Sequence, residues 1–361
     1  MDFLKDLDIQ SAVKKRFSNG LKTGRLAHAY LFYGPEGGGK EAIAFEIAKA
    51  LNCQNEVMKP CNECPPCTKI SQLKHPDIKF IIPEAKSWKS EDIQKKIRLK
   101  SENPFSRIEY TGTTSISIDK IRDLKNEAKY TPYEAQKKVF ILTEAEKMTR
   151  ESANSFLKLL EEPPDNLLII LINKSLSTIL DTIKSRCQII YFPPLSFEEA
   201  LSVVKKFQDI SDDEQKIVRI SQGNLKNIFE ILNQDIDDKR KIVYDFLKAS
   251  ASGSAIKIQE VVEVIAQRRD KNFLLDILNL LTLWFKDAIH LISLNDEAEI
   301  INVDFEEEIK RFAKSYINSD FERIVAEIEN AISNVRNNVY TPLILTVLGI
   351  QIREHLKRAR S

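Results

Sequence analysis

The stretch RLAHAYLFYGPEGGGKE, residues 25–41, decides the fold because a short apolar run leads directly into a glycine loop and then into a helical pattern. Such a loop lets several backbone N–H groups converge on an anion, the helix N-terminus adds a positive field, and a lysine reaches the outer phosphates. The strand–loop–helix order predicts a phosphate-binding P-loop, and a loop that merely turns the chain is the other interpretation. The candidate nucleotide-binding residues of the loop are Gly34, Gly37, Gly38, Gly39 and Lys40.

Glu41 stands where a P-loop usually has the Ser or Thr whose hydroxyl holds Mg²⁺. A carboxylate cannot mimic that hydroxyl, and it places a negative charge beside a triphosphate. After the apolar run KVFILT (138–143), Thr143 and Glu144 stand where a magnesium-holding Asp and a water-orienting Glu are usual. Because both metal-holding groups are missing, we expect no Mg²⁺ and no ATPase activity. The sequence leaves open whether the loop binds ATP or ADP.

The rest of the first 194 residues alternates strand-like and helix-like segments, which predicts a parallel sheet covered by helices on both faces. Helices are predicted at 118–130 and 149–162, the second with Thr149 as its N-cap. Further strands are predicted at 77–82, 138–143, 166–172 and 188–192.

From Ser196 onward the pattern is helical throughout. Capping-box spacings occur at Ser196/Glu199 and at Ser319/Glu322, and residues 273–292 are apolar nearly all round, as in a helix buried within a bundle. The sequence therefore predicts an α/β domain over 1–194 followed by a helical part over 195–361.

Chain breakers and charge are spread unevenly over the 361 residues. Residues 1–194 contain 12 of the 13 prolines and all five cysteines, with 31 basic against 25 acidic residues. The overall net charge of +1 excludes a polybasic arm or an acidic tail. The first ten residues lack the apolar segment of a signal peptide, and the longest aliphatic run, Leu167–Ile172, is far shorter than the ~20 residues of a membrane span. We therefore expect a cytoplasmic protein that does not contact a membrane.

Residues 53–67 hold four cysteines with the spacing C-x7-C-x2-C-x2-C: Cys53, Cys61, Cys64 and Cys67. Four thiolates at this spacing suit a closed, tetrahedral, structural Zn²⁺ site. In the cytoplasm, clustered cysteines also indicate a metal before disulfides. An iron–sulfur cluster and four unrelated buried thiols are the alternatives, and the upstream position of Cys53 is unlike a ferredoxin run.

Residues 84–107 interrupt the alternation with a polar insertion, which we interpret as an inserted loop or helix. It holds seven basic and four acidic residues together with Trp88 and Phe105. Contact with DNA is one possible role of this insertion, and a solvated loop is the other.

Several stretches in this order resemble the delta-prime family of bacterial DNA polymerase III clamp-loader subunits, a member of the AAA+ group. The resemblance is strong over about 195 residues and looser in NNVYTPLILTVLG (337–349). Its motifs are RLAHAYLFYGPEGGGK (25–40), the four cysteines, HPDIKFI (75–81), TPYEAQKKVFILTEAEKMTRESANSFLKLLEEPP (131–164) and SRCQIIYFPPL (185–195).

The resemblance implies an AAA+ nucleotide fold over 1–194 with a zinc knuckle at 53–67, followed by a small helical lid over 195–240 and an all-α collar over 241–361. In the family's Ser-Arg-Cys motif the arginine is a finger that reaches the ATP site of a neighbouring subunit, and here that residue is Arg186. Asn173 stands at the first-sensor position. Lys226, three residues after Gly223, stands where the second-sensor motif has arginine.

The resemblance also implies partners: the motor (gamma/tau) and delta subunits, and, within their complex, the sliding clamp and primer–template DNA during replication. Motor subunits keep Lys-Ser/Thr and Asp-Glu at their phosphate sites, whereas this chain has Lys40-Glu41 and Thr143-Glu144. The expected function is therefore that of a non-motor subunit which supplies a finger in trans. The alternatives are an active AAA+ motor ATPase and a free-standing zinc-bearing nucleotide-binding protein.

Overall fold

A computed structural model describes residues 2–3, 7–108, 110, 112–210, 215–232, 236–268, 270–294, 300–302 and 305–356. The chain divides into two compact units. Unit 1 comprises Met1–Ile210 with Ser221–Glu230, and unit 2 comprises Ser211–Ile220 with Ile231–Ser361. None of the helices in the described part of the chain has the length and apolar character that a membrane crossing needs.

The strands all lie in unit 1. They are β1 (Asp2–Phe3), β2 (Ala29–Tyr33), β3 (Met58–Lys59), β4 (Ile78–Ile81), β5 (Glu84–Ala85), β6 (Thr114–Ser115), β7 (Lys138–Leu142), β8 (Leu167–Asn173) and β9 (Gln188–Tyr191).

The helices of unit 1 precede, separate or follow these strands. They are α1 (Ser11–Thr23), α2 (Lys40–Asn52), α3 (Pro65–Ser71), α4 (Ser90–Glu102), α5 (Ile118–Ala128), α6 (Arg150–Glu161), α7 (Asp181–Lys184), α8 (Phe197–Phe207) and, up to Glu230, α10 (Leu225–Leu232).

Unit 2 is helical throughout its described residues. Its helices are α9 (Gln215–Ile220), α11 (Ile236–Ser252), α12 (Ala255–Gln267), α13 (Lys271–Leu294), α14 (Glu306–Ser315), α15 (Phe321–Arg336) and α16 (Thr341–His355).

The central sheet has the strand order β4-β7-β8-β2-β9, and every neighbouring pair is parallel. Strands β7 and β8 are buried along their whole length, because helices cover both faces of the sheet. The predicted parallel α/β sheet is thus confirmed, and each predicted strand occurs within a residue or two of its expected bounds.

The parallel arrangement brings the carboxyl ends of the strands to one edge of the sheet. In the register, Tyr33 at the end of β2 pairs with Asn173 at the end of β8, and Ile81 at the end of β4 pairs with Leu142 at the end of β7. The glycine loop, Thr143 and Asn173 therefore all follow or end strands at the same edge, which is where open α/β sheets hold ligands.

The helix starts agree with the sequence at two positions and differ at one. Thr149 caps α6, and Ser196 with Glu199 forms the predicted capping box of α8. The expected box at Ser319 is wrong: Asp320 is the N-cap of α15, and its carboxylate accepts the Arg323 N–H at 2.9 Å. A carboxylate is the better acceptor at a positive helix end, and Ser319 N–H donates instead to the Tyr316 carbonyl that ends the preceding helix.

The core of unit 2 confirms the expectation of a buried helix over residues 273–292. Helix α13 extends over Lys271–Leu294, and Leu278 and Phe285 on it have no exposed surface. It packs against α14 and α15, and α15 packs in turn against α16. A helix that is apolar nearly all round needs such neighbours on several sides.

Candidate functional site

The glycine loop has the tight geometry that a P-loop requires. Gly34 has φ +140°, and a Cβ there would lie 2.1 Å from the Phe192 carbonyl oxygen. Gly37 has φ +72°, and a Cβ there would lie 1.9 Å from Asn224 Oδ1. The loop thus packs closely against the segments after β9 and before α10, and side chains are excluded at both positions.

The loop lysine turns back onto its own loop. Lys40 Nζ donates to the Gly34 carbonyl at 2.7 Å and also to the Pro35 carbonyl. Burial, together with the nearby Lys226 ammonium, lowers the pKa of Lys40 to about 8. The Lys40 ammonium, which would reach a terminal phosphate in a P-loop that binds nucleotide, therefore donates to backbone carbonyl oxygens instead.

Glu41 is buried, and its two carboxylate oxygens are both engaged. The Thr143 hydroxyl donates to Oε1 at 2.7 Å, Lys226 Nζ lies 3.7 Å from the same oxygen, and Lys100 Nζ forms an ion pair with Oε2. Burial alone raises the pKa of this carboxyl, but the ammonium groups of Lys100 and Lys226, helped by the Thr143 hydroxyl, lower it to about 2. Glu41 is ionised and neutralised from within the chain.

This donor set does not suit Mg²⁺. Mg²⁺ prefers an octahedral shell of oxygens. The carboxylate at the metal-holding position already faces two ammonium groups and a hydroxyl donor. The protein cations supply the positive charge that a metal would bring to a P-loop.

Lys226 and Asn173, which the sequence predicts as sensor residues, both line the same cavity. Burial lowers the pKa of Lys226, but the carboxylates of Glu41, Glu36 and Glu144 raise it on balance, so the ammonium form is retained. Asn173 Nδ2 donates to the Ser175 carbonyl at 2.7 Å and to the Thr178 hydroxyl at 2.9 Å. Its amide thus orders the loop that follows β8.

The cavity is small. Gly37, Gly39, Lys40, Phe105 and Lys226 are among the residues that line it, and they leave about 30 Å³ for the centres of water molecules. One water needs roughly 10–15 Å³ by this measure. The enclosed space beside the glycine loop is therefore narrow in this conformation.

Sequence reasoning names Phe105 only as part of an insertion whose role is either DNA contact or that of a solvated loop, and it does not single out Lys100 or Arg107. All three come from the 84–107 insertion, which folds as β5 and α4 and is closed by pairing of β5 with β6. Most of α4 is exposed, so the insertion is largely solvated, whereas Lys100 and Phe105 are each 2% exposed. Contact of the exposed part with DNA stays a prediction. The high density of basic residues was the available signal, and it does not distinguish Lys100 from its neighbours.

The four cysteines form one cluster in which all Sγ atoms lie within 4.8 Å of one another. Cys53 and Cys67 are buried, and the Cys53 and Cys64 sulfurs are 3.9 Å apart. A tetrahedral site with Zn–S bonds of about 2.3 Å places its sulfurs ~3.8 Å apart. Backbone N–H groups of Cys61 and Cys64 donate to sulfurs of the cluster. The geometry fits a metal such as zinc, with no open coordination position.

Arg186 lies at the other end of the sheet. It comes two residues before β9, whose first residue pairs with Tyr30 near the start of β2, whereas the glycine loop follows the end of β2. At ~3.3 Å per residue, roughly 15–20 Å of strand separate the two levels. Arg186 bonds to the Thr182 carbonyl at 2.9 Å and pairs with Glu161 at 2.7 Å, and its side chain is 34% exposed. Its guanidinium therefore does not serve the glycine loop of its own chain.

Comparison with known proteins gives one family over most of unit 1. The family model described as DNA polymerase III, delta subunit, matches residues 9–196, more than half of the chain. DNA polymerase III subunit delta' of Bacillus subtilis (strain 168) is 26% identical over 352 residues, which are 96% of this chain and 97% of that protein.

A subunit named tau matches over a shorter range. DNA polymerase III subunit tau of Bacillus subtilis (strain 168) is 28% identical over 254 residues, 70% of this chain and 39% of that protein. Among solved structures, a DNA polymerase III gamma subunit-related protein of Thermotoga maritima aligns with a TM-score of 0.44 at 16% identity, over 94% of this chain and 99% of that one. The match over residues 9–196 and its agreement with the glycine loop, the cysteine cluster and the five-stranded parallel sheet lead to one conclusion: the chain belongs to the DNA polymerase III, delta subunit, family.

Proposed function

We propose that this chain is the delta-prime-type, non-motor subunit of a bacterial DNA polymerase III clamp loader. The main support for this proposal is Glu41, a carboxylate at the position that holds the metal in a P-loop. Lys100 and Lys226 neutralise its charge, and the Thr143 hydroxyl donates a hydrogen bond to it. A motor ATPase needs that position for Mg²⁺, so the same observation disfavours the motor alternative. The free-standing nucleotide-binding alternative is disfavoured by the small cavity.

The proposed contribution to the complex is Arg186, acting on the ATP site of a neighbouring motor subunit. A finger arginine neutralises charge that develops on the transferred phosphoryl group. The Arg186–Glu161 pair is partly exposed, and exposed pairs are worth about 0–1 kcal/mol, so releasing the guanidinium from Glu161 costs little. A triphosphate carries more negative charge than Glu161 and can compete for the guanidinium.

The proposed assembly surface in unit 2 is an apolar stripe on α16. Residues Tyr340, Leu343, Val347 and Ile350 are exposed and recur at intervals of three and four residues, so they lie on one side of the helix. We assign this stripe to a helical collar over 241–361, following a lid over 195–240 and a nucleotide-fold domain over 1–194. Motor and delta subunits are the proposed neighbours in a cytoplasmic complex that loads the sliding clamp onto primer–template DNA.

The proposed metal is one structural Zn²⁺ held by Cys53, Cys61, Cys64 and Cys67. The cluster leaves no coordination position for water, so the metal would hold the segment between α2 and α3 together and take no part in a reaction.

The test of the finger is ATP turnover and clamp loading by the loader reconstituted with its motor and delta subunits, clamp and primed DNA. Arg186→Ala should abolish turnover at the facing motor site, where a finger is worth about 10³–10⁵ in rate. Arg122→Ala is the matched control, because Arg122 is exposed and pairs with Asp119 on its own helix. If Arg186→Ala leaves both rates unchanged, the finger assignment is wrong.

A second measurement separates the subunit types. The purified chain should hydrolyse no ATP, and Lys40→Ala should leave loading by the reconstituted complex unchanged. ATP turnover by the purified chain that Lys40→Ala removes would instead establish a motor.

A further inference from the structure

The segment 100–107 of the insertion connects the glycine loop with two helices that come much later in the chain. It begins at the end of α4 and turns sharply: the Asn103 side chain accepts the Phe105 N–H at 2.8 Å, and its carbonyl accepts the Ser106 N–H at 3.0 Å. Three side chains of this segment contact different parts of unit 1. Lys100 contacts Glu41, Phe105 contacts α8 and α10, and Arg107 lies between α10 and the glycine loop.

The first of these side chains, Lys100, pairs with the carboxylate of Glu41 in the cavity beside the glycine loop, which we call the glycine-loop cleft. Its ammonium group pairs with Glu41 and donates to the Pro104 carbonyl at 3.0 Å. The Lys100 side chain is almost wholly buried. A buried ammonium that carries a proton at neutral pH needs such a carboxylate, and Glu41 needs the ammonium equally.

The second side chain, Phe105, fills the apolar part of the cleft. Its ring lies 6.0 Å from the ring of Phe229 on α10 at an interplanar angle of 17°, and 5.7 Å from the ring of Phe207 on α8 at 89°. A Cβ added to Gly39 would come within 3.9 Å of the same ring. Offset-stacked and edge-to-face pairs at these separations stabilise beyond the burial of area alone.

The third side chain, Arg107, ties α10 to the glycine loop. Its guanidinium pairs with Glu230 at 3.1 Å, donates to the Asn227 side chain and lies 4.0 Å from Glu36 in the loop. Because arginine presents several donors in a planar fork, one side chain can hold both elements.

We propose that residues 100–107 act as a tethered ligand of the chain's own glycine-loop cleft. Lys100 supplies its cation, Phe105 its apolar ring and Arg107 its link to α10, so α8 and α10 stay docked on the loop with no nucleotide bound. The cleft is filled by protein in the resting chain, and it is the insertion that fills it. This inference goes beyond the proposed function and does not depend on the finger residue.

The test is amide hydrogen exchange on the full chain, with Arg107→Ala as the perturbation. Loss of the ion pair and hydrogen bond on α10 should raise exchange over residues 225–230 and over the glycine loop by about tenfold, which corresponds to about 1.4 kcal/mol. Exchange in β7 and β8 should not change. Arg98→Ala is the matched control, because Arg98 is exposed on the same insertion and pairs with Glu102 on its own helix.

Phe105→Ala should raise amide exchange over the same residues by more than Arg107→Ala does. If Phe105→Ala does not fold, the result for Arg107→Ala alone tests the proposal. Equal exchange in Arg107→Ala and Arg98→Ala would overturn the proposal. A fluorescent ADP analogue with Mg²⁺ should not bind the wild-type chain. Binding that also speeds exchange over residues 100–107 would show that nucleotide, and not the segment, is the ligand of the cleft. Amide exchange and nucleotide binding are both measured on the isolated chain. They can therefore contradict the tethered-ligand proposal without contradicting the assignment of Arg186 as a finger.

Discussion

The substitution Glu41→Gln tests whether protein cations replace the metal at the glycine loop. Glutamine keeps the size of the side chain and an oxygen that can accept from Thr143, but it removes the negative charge. Lys100 and Lys226 would then lie in a buried site without the carboxylate that both of them face. We expect unit 1 to be destabilised, because breaking a buried ion pair by removing one partner leaves an uncompensated charge.

The magnitude follows from the pKa of Glu41, which falls from an ordinary 4.5 to about 2 in the folded chain. At 1.36 kcal/mol per pH unit, ionised Glu41 contributes about 3 kcal/mol to the stability of unit 1 at pH 7. Buried pairs broken in this way typically cost about 3–5 kcal/mol, which agrees. Burial lowers the pKa of Lys100 to about 8 even though Glu41 raises it. In the Glu41→Gln variant Lys100 can therefore release its proton, which limits the loss of stability.

The dependence on pH has a definite sign. A carboxyl with a depressed pKa stabilises the folded state fully above 4.5 and loses that contribution as the pH falls toward 2. The difference between wild type and Glu41→Gln should therefore shrink from about 3 kcal/mol at pH 7 to about 1 kcal/mol at pH 3.

The assay is urea unfolding followed by tryptophan fluorescence in a Trp284→Phe background. The chain has two tryptophans, and Trp88 lies in unit 1 whereas Trp284 lies in unit 2, so this background reports unit 1. The double variant Glu41→Gln/Lys100→Met is the matched control and should recover most of the loss, because a neutral pair of similar volume is well tolerated in place of a buried ion pair. A difference below about 0.5 kcal/mol at pH 7, or one that grows on acidification, would refute the reasoning.

Three further outcomes are expected. The purified chain should carry one zinc per molecule, and Cys64→Ser should lose it, as measured by metal analysis; iron in wild type would contradict the site. Glu199→Ala should cost about 1–2 kcal/mol in urea unfolding, because Glu199 accepts the Ser196 and Gln10 N–H groups, whereas exposed Glu198→Ala should have no measurable effect. Leu343→Asp should weaken association with motor subunits in sedimentation without changing the melting temperature, and Ile256→Asp on α12 should do neither; equal effects would refute a role for the α16 stripe.

The sheet could be predicted from sequence because its strands are buried on both faces. That burial requires unbroken apolar runs, and such runs stand out in a chain with 30% charged residues. The run 166–172 gave β8 within one residue of Leu167–Asn173. The N-cap of α15 was missed because Ser319 and Asp320 are adjacent and both can cap, and the choice depends on how the preceding helix ends.

The loss of the metal position could also be predicted, since Glu41 is visible in the motif itself. The partner that neutralises Glu41 could not be predicted from the sequence, because Lys100 is 59 residues away and is one of seven basic residues in the insertion. Local sequence does not distinguish a lysine that reaches a buried carboxylate from one on a solvated face. The Asn103 turn is local, but the pairing of β5 with β6 that closes the insertion joins residues about 30 positions apart and is a tertiary feature.

The charges at the glycine loop support the proposal of a subunit that supplies a finger and hydrolyses no ATP itself. A nucleotide could enter the loop only by separating Lys40 from the Gly34 and Pro35 carbonyls and by bringing phosphate charge next to ionised Glu41. Phosphate oxygens can themselves accept from the Lys40 ammonium, so the first change costs little. The second change places like charges together in a partly buried site, and that repulsion opposes binding. We therefore expect nucleotide to bind weakly at this edge of the sheet, which β2 connects with the level of Arg186. On the proposal that Arg186 is a finger, its position relative to the facing ATP site would then change only when the neighbouring subunit moves, so the timing of hydrolysis would belong to that neighbour.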